Sequence, residues 1–115
     1  MKKIYVEMPP ISRAKAERAL RSKKNDQIID ALIRLALHDR EWKWVQKKCL
    51  QFLSHEDPWV RGAAATALGH LARIHKILDL ETVLPPLQSL SADTEMGDKA
   101  RDALDDIKQF VGFAA

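Results

Sequence analysis

The side chains best suited to chemistry in this sequence are four histidines, at positions 38, 55, 70 and 75, and a single cysteine, Cys49. Histidine titrates near neutral pH, so it serves both as an acid–base catalyst and as a metal ligand. His70 and His75 are five residues apart, however, and would fall on different faces of one helix. The sequence also contains no glycine-rich phosphate loop and no nucleophile elbow. We therefore expect no catalytic residue, no metal site and no cofactor, and we predict that the protein is not an enzyme.

Cys49 is predicted to be a structural residue. A single cysteine can form neither an internal disulfide nor a cysteine-based metal cage. Cys49 lies between Val45 and Leu53 in a helical pattern of apolar residues. We therefore interpret it as a small buried side chain.

A third group of side chains that could do chemistry is acidic and lies near the end of the sequence, at Asp98, Asp102, Asp105 and Asp106. Asp102 and Asp106 are four residues apart, and like charges at that spacing destabilise an isolated helix by about 0.2–0.5 kcal/mol. The group is either the solvated face of a terminal helix or a site for a basic partner, and both interpretations stay open.

The elements that must position these side chains repeat every 36 residues. Ala-Leu pairs begin at positions 31, 67 and 103. The same interval aligns further apolar residues on either side, so that each copy follows the i, i+3, i+4, i+7 pattern of one helical face. The aligned positions are Ile28, Ala64 and Ala100 before the pair, and Leu35, Leu71 and Ile107 after it.

Each repeated helix has a predecessor, at about residues 11–22, 41–54 and 80–91. Ser12 is expected to cap the first, and Trp42 to belong to the apolar stripe of the second. Pro85 and Pro86 lie inside the third, so we expect that helix to begin late or with a kink. The prediction is an all-α domain at residues 11–115, with repeats at about 11–38, 41–75 and 80–112. An extended segment, 1–10, precedes it, with a short extended piece at Ile4 to Glu7.

Length and charge limit the function classes. A chain of 115 residues suits one domain, no apolar run approaches the ~20 residues of a membrane span, and we expect a cytoplasmic location.

Residues 1–50 carry 13 Lys and Arg against 6 Asp and Glu, whereas residues 51–115 carry 6 Lys and Arg against 10 Asp and Glu. The basic side chains of the first repeat suit nucleic acid phosphates or an acidic protein, or they form a solvated helix face. They are Arg13, Lys15, Arg18, Arg21, Lys23 and Lys24.

The segment DPWVRGAAATALGHL resembles the turn and second helix of a HEAT repeat, in which Asp-Pro-x-Val-Arg precedes small residues and Ala-Leu-Gly. LETVLPPLQSLSAD similarly resembles the first helix of such a repeat. The resemblance covers about residues 11–112 and is most specific in the second repeat. It implies an armadillo-like α-solenoid of three HEAT-like helix pairs. It also implies that Asp57 and Arg61 link neighbouring repeats, in a ladder left partial by Arg21 and Gly97 at the equivalent positions.

A stack of such repeats forms a groove lined by the second helix of each pair, with equivalent positions in rows across it. One row is Asp30, Thr66 and Asp102, and the next is Arg34, His70 and Asp106. Gln27, Ala63 and Lys99 flank the first, and Leu37, Arg73 and Gln109 form a fourth. Tryptophan is frequent at binding hot spots, and either Trp44 or Trp59 is expected to be exposed. The predicted partner-binding residues are Asp30, Arg34, Trp44, Trp59, Thr66, His70, Arg73, Asp102 and Asp106.

Three function classes remain open. The leading one is a non-enzymatic module that binds a partner protein through the groove, with a toxin-neutralising immunity protein as a special case suggested by analogy. The second is nucleic acid binding by the basic first repeat. The third is an assembly subunit, a homo-oligomer paired through the apolar tail of Phe110, Val111 and Phe113. No membrane partner is expected.

Overall fold

Six helices in three consecutive pairs make up the protein. The computed structural model describes residues 8–113, so the extended piece expected at Ile4 to Glu7 lies outside the described residues. Within residues 8–113 there is no strand, and the predicted all-α architecture is confirmed. The helices are α1 (Arg13–Arg21), α2 (Asn25–His38), α3 (Trp42–Phe52), α4 (Pro58–His75), α5 (Leu80–Leu90) and α6 (Gly97–Phe110).

Local sequence explains where two of these helices begin. The side chain of Ser12 accepts a hydrogen bond from the amide of Lys15 at 3.2 Å, which confirms it as the cap of α1. Asp57 caps α4 in the same way, accepting from the amide of Val60 at 3.1 Å. Pro58 occupies the first position of α4, where a missing amide is harmless because no helical carbonyl precedes it.

The third predecessor helix was predicted at about residues 80–91, and α5 agrees with those bounds. It begins at Leu80 with both Pro85 and Pro86 inside it, so the alternative of a late start is wrong. The prolines remove amide donors that would reach the carbonyls of Glu81 and Thr82. Both of these residues are exposed, so water can bond the carbonyls that the prolines leave without partners.

The second helices of the three pairs form an inner layer, α2–α4–α6, in which α4 packs against both neighbours. These contacts are more extensive than those inside any one pair. Small residues allow α4 to pack closely on the third repeat: a Cβ added at Gly62 would lie 2.6 Å from the sulfur of Met96, and one added at Gly69 would be at contact distance, 3.4 Å, from the Cα of Ala103. The small residues of α4 therefore serve contacts between repeats.

Side chains join the second repeat to the third. Arg61 places Nη2 3.1 Å from a carboxylate oxygen of Asp93, which forms one rung of the ladder expected from the resemblance. The amides of Met96 and then Glu95, together with Arg61, hold the pKa of Asp93 below its ordinary value. Gln46, which is buried, makes two 2.9 Å hydrogen bonds to Asp79 at the start of α5.

The apolar tail lies against the molecule itself. Val111 and Phe113 are partly buried on the core, and Lys76 lies over the ring of Phe110 at 5.4 Å. Among the described helices none is long and apolar enough to cross a membrane.

Candidate functional site

Residues predicted from different repeats line a common surface, which we call the inner groove. It consists of two hollows on the inner layer that share Thr66 and Lys99. Most residues of the first two predicted rows lie there, because the repeat spacing places equivalent positions of α2, α4 and α6 side by side. The predicted residues lining the hollows are Asp30, Trp59, Thr66, His70, Asp102 and Asp106.

The first hollow, the apolar pocket, has a volume of about 340 Å³. Ile33 is almost fully buried, whereas the indole of Trp59 is 64% exposed. Carboxylates and one ammonium group stand at its edge. The lining residues are Met8, Ile29, Ile33, Trp59, Gly62, Ala63 and Met96, with Asp26, Asp30, Thr66 and Lys99 around them.

The segment that precedes α1 contributes Met8 to the wall of the apolar pocket, and hydrogen bonds from α2 hold this segment in place. Arg34 donates from Nε to the carbonyl of Pro9 at 2.9 Å and from Nη2 to the carbonyl of Pro10 at 2.8 Å. His38 donates from Nε2 to the carbonyl of Met8 at 2.6 Å. Arg34 also pairs with Asp30 at 3.0 Å. Two side chains of α2 thus bind three successive carbonyls, and Arg34, predicted to bind a partner, is engaged within the chain.

The second hollow, the acidic hollow, has a volume of about 200 Å³ between α4 and α6. Arg73 lies one turn along α4 and places Nη2 3.0 Å from Nδ1 of His70. Arg73 is exposed but does not line the hollow. The lining residues are Thr66, His70, Lys99, Asp102, Ala103 and Asp106.

The two candidate tryptophans differ as expected, one exposed and one covered. Trp59 belongs to the inner groove. Trp44 lies on α3, where the guanidinium of Arg13 covers its ring at 4.1 Å and Lys48 approaches at 5.5 Å. Trp44 is therefore separated from the other predicted residues.

No group of three or more His, Cys, Asp or Glu residues within 8–113 has metal-binding geometry. Cys49 is fully buried, as predicted, and burial raises the pKa of its thiol to about 12. A thiol with a raised pKa stays largely protonated at neutral pH and is a poor nucleophile.

Six lining residues of the apolar pocket were not predicted: Met8, Asp26, Ile29, Ile33, Gly62 and Met96. Ile29 and Ile33 form an i, i+4 apolar pair on α2 outside the repeated core face, and this pair was a signal that the sequence offered. Met8 precedes the first helix, and its position depends on a contact with α2 that no periodic pattern indicates.

Comparison with known proteins gives matches in two of three searches. The HEAT repeat family model matches residues 45–75, which span α4 and most of α3. Among solved structures, a chain of the "Crystal structure of CDI complex from Cupriavidus taiwanensis LMG 19424" is 31% identical, with a TM-score of 0.82. The alignment covers 96% of this chain and 97% of that one. The search of curated proteins found no match. With three helix pairs, a family-model match in the second pair and a relative similar over its full length, the chain belongs to the HEAT-repeat family.

Proposed function

We propose that the chain is a non-enzymatic binding module that holds a partner protein in the inner groove, and that it serves as an immunity protein against a cognate toxin. The observation that carries the proposal is the 31% identity, over nearly the full length of both chains, to a chain of a CDI complex. CDI stands for contact-dependent inhibition. A relative found in a complex supports protein binding as the role of this chain as well.

The chemistry of the inner groove supports the same choice. Its two hollows combine apolar area with several carboxylates, and they lie along α4 and the two helices, α2 and α6, that pack against it. Protein interfaces typically combine an apolar centre with a polar rim. Asp102 is exposed within the acidic hollow, and Asp26 and Asp30 stand at the apolar pocket. A partner with a basic face, such as the cleft of a nuclease toxin, would complement these charges.

The test is neutralisation and binding of the protein encoded by the adjacent reading frame in the native host. That protein should arrest growth when expressed alone, and co-expression of this chain should restore growth. The two chains should then co-elute in size-exclusion chromatography. A neighbour that is harmless, or that arrests growth and neither binds nor is neutralised, would refute the immunity role.

A matched pair of substitutions tests whether the partner binds in the inner groove. Asp102→Lys puts a cation where a basic partner would bind, so affinity should fall by about 10-fold or more. Asp105→Lys makes the same change at another exposed position of α6 that lines neither hollow. Equal effects of the two variants, measured by calorimetry, would show that the groove is not the binding face.

Nucleic acid binding is the second candidate, because basic residues on α1 and α3 lie close to an aromatic ring. Arg13 and Lys48 both approach Trp44. A phosphate-binding surface should lose affinity for a labelled DNA duplex with a log–log salt slope of about −0.9 per phosphate contact. No retention of the duplex at low salt would remove this candidate.

A further inference from the structure

The apolar pocket has the features of a seat for one large side chain. We propose that it receives an aromatic or long aliphatic side chain from a basic segment of the partner protein, an inference that rests on the proposed function above. The pocket, not the groove as a whole, would then select the partner.

The first support is the apolar area that the pocket leaves uncovered. Trp59 is the most exposed of the large apolar residues in the described chain, at 64%. Its indole stands at a cavity of about 340 Å³ whose lining includes the nearly buried Ile33. Anchor residues at protein interfaces fill such desolvated pockets, and tryptophan is enriched among them.

The second support is that the pocket is already formed in the free chain. Met8 contributes to its wall, and the backbone of residues 8–10 is fixed on α2 by the three hydrogen bonds from Arg34 and His38. The remaining wall belongs to helices of the inner layer. A preformed pocket avoids the loss of conformational freedom that would otherwise oppose binding.

The third support is the charge of the residues around the pocket, which determines what kind of residue can flank the anchor side chain in the partner. Asp30 at the pocket edge is paired with Arg34, whereas the side chain of Asp26 has no hydrogen bond or ion pair with the described residues. Lys99, on α6, is the one cation among the described residues that line the pocket. Beyond Lys99 the groove continues into the hollow that contains Asp102. A lysine or arginine next to the anchor would pair with Asp26, while an acidic neighbour would be repelled.

Synthetic peptides test the inference without knowledge of the partner. The probes are three fluorescein-labelled 12-residue peptides: one of Lys, Arg, Ser and Gly with a single central Phe, one with that Phe replaced by Ala, and one with every Lys and Arg replaced by Glu. Fluorescence anisotropy against the full chain should show the basic Phe peptide binding about 10-fold more tightly than either of the others, because burial of one aromatic side chain is worth at least that factor.

Variants of the chain locate the peptide. Trp59→Ala and Asp26→Lys should each weaken the basic Phe peptide about 5-fold or more. Ile74→Ala is the control for the first, since Ile74 is another exposed apolar residue of α4 that does not line the pocket. Asp105→Lys is the control for the second. Both controls should bind the peptide like the unmodified chain, and circular dichroism should show all four variants folded.

The outcomes separate the two proposals. If the basic Phe peptide binds no better than its Ala counterpart, or if Trp59→Ala binds it unchanged, the pocket inference is overturned. If the neighbouring toxin still binds in that case, the proposed function survives alone. If the peptide results hold but no toxin is bound or neutralised, the pocket stands as a peptide-binding site and the immunity role fails.

Discussion

Two glycine-to-alanine substitutions, one in the third repeat and one in the second, should change stability in opposite directions. Gly97 begins α6, and a Cβ there would lie 2.6 Å from the carbonyl oxygen of Ser91 and 3.0 Å from Nη1 of Arg101. That carbonyl cannot easily retreat, because it belongs to the backbone at the end of α5 and accepts a 2.6 Å hydrogen bond from Arg101. A carbon and an oxygen normally stay about 3.3 Å apart or more. Gly97→Ala must therefore displace backbone in the connection between α5 and α6.

Gly69→Ala makes the same chemical change in the middle of α4. The added Cβ would lie 3.4 Å and 3.6 Å from atoms of Ala103, which is ordinary contact, and 3.0 Å from Oδ2 of Asp106. The Asp106 carboxylate is the end of a flexible side chain and can shift by a few tenths of an ångström. Alanine is favoured over glycine inside a helix by about 1 kcal/mol, so the net effect should lie between zero and about 1 kcal/mol of stabilisation.

The expected loss for Gly97→Ala is about 1–2 kcal/mol. Overpacking typically costs about 1–3 kcal/mol, and the helix propensity of alanine offsets only part of that at the first position of α6. Urea unfolding followed by circular dichroism measures both free energies, and an unchanged m-value would confirm that the unfolding reaction is the same. A Gly97→Ala variant as stable as the original chain would show that the connection is not closely packed. A Gly69→Ala variant less stable by more than about 1 kcal/mol would show that α4 and α6 lie closer than described.

Three further predictions concern single side chains. Ala67, fully buried in α4, should lose about 1–3 kcal/mol of unfolding free energy on Ala67→Leu, and a neutral result in urea would contradict close packing of the helices. The lowered pKa of Asp93 stabilises the fold above the ordinary value of 3.8, and this contribution is lost as the pH falls through the native pKa. The gap in melting temperature between the original chain and Asp93→Asn should therefore be wider at about pH 7 than at about pH 2.5, and a constant gap would refute this. Cys49 should react with a thiol reagent at about pH 8 only after unfolding, and rapid reaction in the native protein would contradict its burial.

The sequence predicted the inner layer well because its information is periodic. Thr66 and Asp102 are 36 residues apart, which is one repeat. Because repeats stack, residues one repeat apart lie next to each other, and both of these line the acidic hollow. The ladder was predictable only from family resemblance. Its rung joins Arg61 to Asp93, while Asp57 caps its own helix.

Other features depend on tertiary contacts that leave no periodic signal. The binding of Met8 by His38 joins residues 30 positions apart, one of them outside every helix. The sequence left a late start of α5 open because helix propensity penalises an interior proline regardless of which carbonyls lose their partner and whether water can replace it. Trp44 was grouped with the groove by residue type, although its ring packs against Arg13 on another helix.

The packing of α4 between α2 and α6 also bears on how the molecule fluctuates. α1 and α5 pack mainly against one partner each, α2 and α6 respectively, whereas α4 is enclosed by three helices. Local openings take place most readily where few contacts must break, so amide hydrogens should exchange first in α1 and α5 and last in α4. α4 lines both hollows of the inner groove, so a partner that docks there would contact the helix that we expect to exchange most slowly. Such a helix has little conformational entropy to lose on binding.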